Sequence, residues 1–146
     1  MHIQKFISCD WGSSALRLRL IDADSVSVLA EKTTEDGIIA IFNLWKKKRK
    51  NKSERLSFYQ SILSGQINKL EKQLKYSLLN TPIIISGMAS SNMGMKELPY
   101  KVIPFITDDL VVKIIEPSKY FKHKTLLVSG VRTDDDVMRG EETKLI

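Results

Sequence analysis

The stretch Asp10-Trp11-Gly12-Ser13-Ser14 places a carboxylate, a glycine and two hydroxyls close together in the chain. Glycine lets a backbone approach a ligand closely, and hydroxyls combine with backbone N–H groups to bind phosphate oxygens in anion-binding turns. A carboxylate repels phosphate unless a cation lies between them, and Mg²⁺ accepts oxygen ligands and water. We therefore interpret the stretch as a phosphate turn in which Asp10 organises Mg²⁺. The spacing fits a plain hairpin with an aspartate at its edge equally well.

The other reactive side chains do not form a recognisable zinc centre. The chain has one cysteine, Cys9, and two histidines, His2 and His123, which are too few. We interpret Cys9 as a small apolar residue of a buried strand, and a single cysteine is typical of a reducing compartment. No apolar run approaches about 20 residues, and the first residues lack a signal-peptide pattern. We therefore expect a cytoplasmic protein with no membrane partner.

The excess of basic residues comes from one segment. The net charge is +6, and residues 46–52 contain six of the 23 lysines and arginines. The other 17 balance the 17 acidic residues. Such a run attracts nucleic acid or an anionic membrane, or it forms a solvated loop or helix end. We favour the solvated loop or helix end, because no aromatic residues interleave the cations as single-strand stacking requires. Nucleic acid is therefore not an expected partner.

Three strands are predicted to position the phosphate turn. Residues 3–10 are typical of a buried strand, residues 16–21 alternate with a period of two, and residues 26–31 form a third strand after a turn. Strands this close in the chain pair antiparallel, because parallel neighbours need a long crossover. For the next segment, residues 35–47, we favour a loop followed by a short helix.

A long amphipathic helix is the clearest element of the remaining sequence. Ser53 is a candidate N-cap, and apolar residues recur at threes and fours from Leu56 to Leu78. Asn80 and Pro82 end the pattern. The periodicity therefore predicts a helix from about residue 53 to just before Asn80.

Further strands follow the helix. Residues 83–86 and 124–130 each form a short apolar run that predicts a buried strand, and residues 101–106 are weakly strand-like. Residues 108–121 are ambiguous, and the tail is helix-like from residue 140. This order predicts a mixed five-stranded sheet with helices on its faces, which is the order of a ribonuclease H-like fold.

Three stretches resemble known kinases. Residues 10–17, "DWGSSALR", resemble the Asp-x-Gly-(Ser/Thr)-(Ser/Thr)-x-x-Arg phosphate motif of the sugar kinase, Hsp70 and actin superfamily. Residues 85–100, "ISGMASSNMGMKELPY", resemble the Ser-Gly-Met…Gly…Pro-Tyr segment of 2-keto-3-deoxygalactonokinases. Residues 136–146, "DVMRGEETKLI", resemble the Asp-Val-Met-Arg-Gly-Glu-Glu-Thr-Gln signature of that family. The three occur in the family's order over the whole chain.

The resemblance implies an actin-like ATPase lobe of an ATP-dependent kinase. Its substrate would be 2-keto-3-deoxygalactonate or a related 2-keto-3-deoxy sugar acid, and it would use Mg²⁺. Phosphoryl transfer needs positioning, charge neutralisation and often a base for the attacking hydroxyl. By resemblance, Asp10 organises Mg²⁺, and the residues that face the nucleotide phosphates are Gly12, Ser13, Ser14 and Arg17.

The resemblance also implies where the sugar acid binds. The loop residues expected to contact it are Ser86, Gly87, Met88, Ser90, Ser91 and Asn92. Arg139 is expected to bind the carboxylate of the sugar acid, with Arg132 as a second candidate, because a guanidinium binds carboxylates bidentately. Salt bridges from these arginines to the aspartates at 134–136 are an equally good interpretation.

The catalytic base is expected in the acidic signature. Glu141 is the first candidate and Asp136 the second, because Glu141 follows a glycine and opens an apparent helix, as the base does in related carbohydrate kinases. A carboxylate there accepts the hydroxyl proton during transfer. Alternatively, Glu141 and Glu142 only stabilise the start of a helix.

The resemblance covers only the first part of the kinase pattern, because the sequence has no second Asp-x-Gly turn and no Gly-Gly adenosine motif. We expect residues 1–146 to form a single domain, the N-terminal lobe of a two-lobe kinase. Such a lobe would be inactive alone and would associate with a second-lobe chain or with itself. Two alternatives remain: a nuclease in which Asp10 and Asp136 share a metal pair, and a non-catalytic remnant that binds sugar acid or a partner.

Overall fold

The computed structural model describes residues 2–48, 51–102, 112–133 and 137–138. Its regular elements, in chain order, are β1 (Lys5–Trp11), β2 (Leu16–Asp22), β3 (Val28–Thr34), α1 (Ile38–Lys47), α2 (Arg55–Leu74), β4 (Ile83–Gly87), β5 (Lys101–Val102), β6 (Val112–Ile115), β7 (Thr125–Val128), β8 (Val131–Arg132) and β9 (Val137–Met138). Short 3₁₀ turns lie at Lys52–Glu54 and Met88–Ser90. No helix within these ranges has the length and apolar character of a membrane span.

The first three strands form an antiparallel meander, as predicted. β1 pairs with β2 along its whole length, so that Asp10 lies directly opposite Arg17. β2 then pairs with β3, with a register shift after Leu20. The third strand starts later than predicted, because Val26 has a φ of 57° in the turn before it. This left-handed conformation is unfavourable for a β-branched residue and keeps it out of the strand.

The main sheet has six strands rather than the predicted five. β4 pairs in parallel with both β1 and β7, and β6 pairs antiparallel with β7. The strand order is therefore β3-β2-β1-β4-β7-β6. The additional edge strand, β6, lies within the segment whose sequence was ambiguous. Residues 101 and 102 of the weakly strand-like run form β5, which belongs to a separate small sheet with the order β5-β8-β9.

Within the described ranges, both helices pack on one face of the main sheet. The buried side chains of β1 are Ile7, Cys9 and Trp11, which alternate with half-buried ones. They join one apolar cluster with the inner stripes of α1 and α2, including Ile38 and Leu63. The helices predicted to pack on the sheet are therefore present in the described part of the chain as α1 and α2. Burial of Cys9 is confirmed, and burial raises the pKa of its thiol well above its usual value.

Helix α2 is present but shorter at both ends than predicted. Ser53 lies in the 3₁₀ turn and makes no capping bond there, and the α-helix begins at Arg55. The helix ends at Leu74 because Lys75 adopts a left-handed conformation with a φ of 66°. Leu78 is still buried, and its backbone N–H donates to Glu71 Oε2 at 2.8 Å. The apolar periodicity therefore continues past the helix because the following turn also packs into the core.

Two predicted features lie partly or wholly outside the described residues. Of the basic run, residues 46–48 and 52 are described and exposed, with Lys46 and Lys47 in the last turn of α1. Cations at a helix C-terminus interact favourably with the helix dipole, which agrees with a solvated helix end. The helix predicted from residue 140 lies outside the described ranges.

Candidate functional site

The candidate site lies where the carboxyl ends of the parallel strands β1, β4 and β7 meet. In the register of β1 and β4, Asp10 pairs with Ser86 and Trp11 with Gly87. β7 runs parallel to β4 and ends just before Ser129, whose buried hydroxyl has no hydrogen-bond partner in the described part of the chain. In open α/β sheets, ligands bind at this edge, outside the carboxyl ends of the strands. The topology thus brings together two stretches that are about 75 residues apart.

The phosphate turn is held against the N-terminus of helix α1. The backbone N–H groups of Ile38 and Ile39 donate to the carbonyl oxygens of Gly12 and Ser13 at 2.9 and 3.2 Å. The turn therefore satisfies two of the N–H groups that a helix start leaves unpaired. Because a trans peptide directs C=O and N–H to opposite sides, the N–H groups of Ser13 and Ser14 point away from α1. Both serines are exposed, so these donors lie on the solvent side of the turn.

Gly37 fixes the distance between the turn and the helix. A Cβ added to Gly37 would lie 2.4 Å from the carbonyl oxygen of Ser13 and 2.5 Å from Cα of Ser14. The φ of Gly37 is −67°, which any residue adopts, so only the close approach requires glycine here. Sequence reasoning missed this residue, because the packing partner lies more than 20 positions earlier.

Gly12 differs from Gly37 because the fold itself leaves room for a side chain. A Cβ at Gly12 would meet only the carbonyl oxygen of Ala15, at 3.6 Å, which is an ordinary contact. The backbone N–H of Gly12 donates to the same oxygen at 2.9 Å and closes the turn. The absence of a side chain at this position therefore leaves space beside the turn on its open side.

Polar side chains occupy the sheet face opposite the helices at this end. Asp10, Arg17 and Ser86 are half-buried and share this face, because their neighbours in each strand point into the core. Arg17 Nε donates to Thr33 Oγ1 at 3.4 Å, which directs the guanidinium along β3. A cation directly opposite Asp10 and a hydroxyl beside it give this face the mixed charge that a metal-bound anion needs.

Trp11 points to the other side and belongs to the core. Its side chain is fully buried, and its indole Nε1 donates to the carbonyl oxygen of Asp36 at 2.8 Å. Its ring lies 5.5 Å from that of Tyr59 between centroids. Trp11 therefore ties β1, the start of α1 and helix α2 together next to the turn.

The loop after β4 is built by close backbone packing. Gly87 has a φ of 100°, and a Cβ there would lie 2.5 Å from the carbonyl oxygen of Trp11. A Cβ on Gly94 would lie 2.0 Å from the carbonyl oxygen of Ala89. The buried hydroxyl of Ser91 donates to the carbonyl oxygen of Met88 at 2.7 Å. Glycine at 87 and 94 is therefore required by the fold, and Ser91 stabilises the loop from within.

The remaining predicted substrate residues differ in exposure. Ser90 is buried, Met88 is half-buried and Asn92 is exposed. The structure therefore places Ser86 beside Asp10 in the sheet, and Asn92 in the loop that follows β4. The predicted residues that lie outside the described ranges are Asp136, Arg139, Glu141 and Glu142. Arg132, the second candidate for the carboxylate, is exposed in β8.

Two residues of α2 that sequence reasoning did not assign to the site hold the loop in place. Arg55 donates through Nε to the carbonyl oxygen of Gly94 and through a terminal nitrogen to that of Asn92. Tyr59 donates through its hydroxyl to the carbonyl oxygen of Met93. Tyr59 lies within the apolar periodicity that predicts α2, but nothing in the sequence indicates that Arg55 and Tyr59 contact a loop more than 30 positions away.

Comparison with known proteins agrees with this architecture. The chain is 28% identical over 144 residues to a protein of Rhizobium meliloti (strain 1021) assigned as a 2-dehydro-3-deoxygalactonokinase. It is 27% identical over 146 residues to the 2-dehydro-3-deoxygalactonokinase of Escherichia coli (strain K12). In each case the match covers 97% of this chain and 41% of the relative.

A solved structure shows the same fold. A crystal structure of a Sinorhizobium meliloti protein described as a 2-dehydro-3-deoxygalactonokinase matches with a TM-score of 0.70 and 27% identity, over 96% of this chain and 41% of that one. The fold and the relatives therefore indicate the class: the chain is similar to part of a carbohydrate kinase. Within that class the chain belongs to the 2-keto-3-deoxygalactonokinase family, whose model matches residues 10–146. It spans about two fifths of the length of the relatives that it matches.

Proposed function

We propose that this chain is the N-terminal lobe, with a ribonuclease H-like fold, of a kinase for 2-keto-3-deoxygalactonate or a related 2-keto-3-deoxy sugar acid. The phosphoryl donor is ATP. The observation that carries the proposal is the phosphate turn, whose carbonyls bond α1, whose two serines are exposed, and whose glycine is not required by packing. The family match supports the same reaction. It gives no support to the nuclease alternative.

The residues of the turn fit a magnesium-bound phosphate chain. Within the described ranges, no three His, Cys, Asp or Glu side chains cluster as a metal site made by protein alone would require. Mg²⁺ is commonly held by one or two carboxylates together with phosphate oxygens and water, and Asp10 offers one carboxylate. In this proposal Asp10 holds the ion, and the phosphates contact Gly12, Ser13 and Ser14 with Arg17 nearby. The ion supplies charge neutralisation when bound.

The sugar acid is proposed to bind at the loop after β4, beside Ser86 and the exposed Asn92. The carboxylate of the substrate is assigned to Arg139, and the proton of its attacking hydroxyl to Glu141, with Asp136 as the second candidate. These three roles rest on the family signature alone, because the residues lie outside the described ranges. Ser86 and Asn92 offer hydrogen bonds to the hydroxyls of the substrate.

The proposed kinase requires further protein to complete it. The relatives are more than twice as long as the matched region, which supports a second lobe that holds the rest of the nucleotide. Within the described ranges, the sheet face opposite α1 and α2 also exposes apolar residues, with Val112 43% and Ile114 51% accessible. We propose that these two side chains belong to the surface that contacts the second lobe. A cytoplasmic location, supported by the single buried Cys9, belongs to the same proposal.

A coupled ADP-release assay tests this function. The chain is assayed with ATP, Mg²⁺ and 2-keto-3-deoxygalactonate, alone and together with the C-terminal part of the Rhizobium meliloti relative. We expect turnover only for the mixture. Gly12→Ala retains the fold, because its Cβ makes only an ordinary contact, but it lowers turnover because the methyl group occupies the space beside the phosphates.

Two results would contradict the proposal. Robust turnover by the 146-residue chain alone would show that no second lobe is needed. No turnover by two chains that co-elute as a complex would show that the reaction is not the one proposed.

A further inference from the structure

Three consecutive carbonyl groups of the loop after β4 are held by two side chains of one helix. Arg55 donates hydrogen bonds to the carbonyl oxygens of Asn92 and Gly94. Tyr59 donates one to the carbonyl oxygen of Met93, which lies between them. The two residues are four apart in the first turns of α2, so they lie on the same face of the helix. Arg55 and Tyr59, which we call the clamp, therefore hold the loop to helix α2.

The chemistry of the two donors suits this task. A guanidinium presents donors in a rigid planar fork, which lets Arg55 bond two separate carbonyls at once. Its position is itself fixed, because the guanidinium carbon lies 5.6 Å from the ring centroids of both Phe42 and Trp45. Tyr59 is fully buried, and burial raises the pKa of its phenol to about 12, so that its hydroxyl remains a donor even at alkaline pH.

The clamp determines which part of the loop faces outward. With its carbonyl bonded to Arg55, the backbone of Asn92 is fixed while its side chain remains exposed. The rest of the loop is closed by its own bonds, from Gly94 N–H to Ser91 O and from Leu98 N–H to Ser90 O, each 2.9 Å long. Asn92 is thus presented from a rigid backbone at the carboxyl end of β4, where a ligand is expected.

The same helix also supports the phosphate turn. The ring of Tyr59 packs against that of Trp11, which directly precedes Gly12. Further along α2, Gln66 Nε2 donates to Asp36 Oδ2 at 2.8 Å, next to the glycine that packs against the turn. One helix face therefore contacts both halves of the candidate site.

We propose that Arg55 and Tyr59 are positioning residues that hold residues 88–98 in the shape that receives the sugar acid. The identity of the ligand in this inference rests on the proposed function. The clamp itself rests only on the hydrogen bonds described above. It assigns a role in substrate specificity to the start of α2. No residue of this helix belongs to the three sequence motifs that resemble the kinases.

Hydrogen exchange and kinetics together test the clamp. The variants are Arg55→Lys, which keeps the charge but loses the fork, and Tyr59→Phe, which removes only the hydroxyl. Tyr76→Phe, at an exposed tyrosine just beyond the end of α2, is the matched control. We expect the amides of Gly94 and Leu98 to exchange about tenfold faster in each clamp variant, as the loss of a partly buried hydrogen bond implies. The amides of β1 and β2 should exchange at their original rates.

In the two-chain kinase assay, we expect each clamp variant to raise the KM for 2-keto-3-deoxygalactonate several-fold while the KM for ATP stays unchanged. Unchanged exchange in the loop, or faster exchange throughout the sheet, would overturn the clamp. Faster exchange in the loop with an unchanged KM for the sugar acid would overturn its role in binding. A kinase assay that fails for the unsubstituted protein would instead contradict the proposed function, while exchange would still decide whether the clamp exists.

Discussion

At the scale of single residues, the candidate site depends on neighbouring positions that point to opposite sides of the sheet. Asp10 lies on the sheet face opposite the helices, and Trp11 is buried among the helices. Asp10 and Trp11 point to opposite faces because successive side chains of a strand alternate between the two faces of the sheet. Tyr59 of α2 likewise has two roles, because its ring packs in the core and its hydroxyl donates to a carbonyl of the loop after β4. A large substitution at one of these positions would disturb the core and the site together. Only a small one, such as Tyr59→Phe, changes a site contact while the core packing is kept.

The buried phenol of Tyr59 makes stability depend on alkaline pH. Its pKa is about 12 in the folded chain, raised by burial and partly lowered by Arg55, against 10.0 without these effects. Between these values the folded state keeps a proton that the unfolded state has lost, so the free energy of unfolding falls as pH rises. The slope approaches about 1.4 kcal/mol per pH unit, and no contribution is expected below about pH 9.

Urea unfolding at a series of pH values measures this dependence. Tyr59→Phe should remove the additional loss of stability between about pH 10 and pH 12, whereas Tyr76→Phe should retain it because that tyrosine is exposed. Equal pH profiles for the original protein and Tyr59→Phe would contradict a buried, proton-retaining Tyr59.

At the scale of elements, the packing of α1 on the phosphate turn fixes the site. Gly37→Ala should lower the free energy of unfolding by about 1–3 kcal/mol, because its Cβ would overlap the backbone of Ser13 and Ser14. Gly65→Ala is the matched control, since it lies exposed inside α2 with nothing within 4 Å of an added Cβ. It should raise stability by about 0.5–1 kcal/mol, because alanine favours helices.

Denaturant midpoints measure both glycine variants in one series. The expected result is two changes of opposite sign, with the amides of the phosphate turn exchanging faster in Gly37→Ala alone. Two stabilising changes would show that α1 is not tightly packed on the turn.

The strands, helices and turns that a local sequence pattern determines could be predicted from the sequence. The period-two alternation of β2 and the three-and-four spacing of α2 each identified an element, and the Asp-x-Gly pattern located the turn. The predictions failed where local signals conflict with tertiary packing. Leu78 continues the apolar spacing, but the helix has already ended at Leu74. β6 is a short edge strand whose sequence fits several structures until β7 pairs with it.

The candidate site was predictable only in its motif residues. Gly37, Arg55 and Tyr59 act through contacts with residues 23 to 39 positions away, and a single sequence gives no signal for such distances. The sequence did indicate that Gly12 accompanies an aspartate and two serines, but only the structure shows that packing leaves this glycine free for close approach. Burial and register, which decide the roles of these residues, are properties of the assembled sheet.

At the scale of the whole molecule, the described residues offer an edge and a face that we propose to be the contact surface for a second lobe. The polar residues of the site lie at one edge of the sheet, and apolar side chains of β6 are exposed on the face away from the helices. The match to about two fifths of each relative agrees with this arrangement. The charge excess of +6 arises in residues 46–52 rather than at the site, so it does not by itself direct the nucleotide there.

The most direct test of the account is the location of the metal-bound phosphates. In a complex of this chain with the C-terminal part of the Rhizobium meliloti relative, ATP with Mn²⁺ in place of Mg²⁺ should broaden the amide resonances of Gly12, Ser13 and Ser14 first. Asp10→Asn should abolish that broadening while the two chains still associate. Broadening centred on the basic residues 46–48, with the phosphate turn unaffected, would contradict the account.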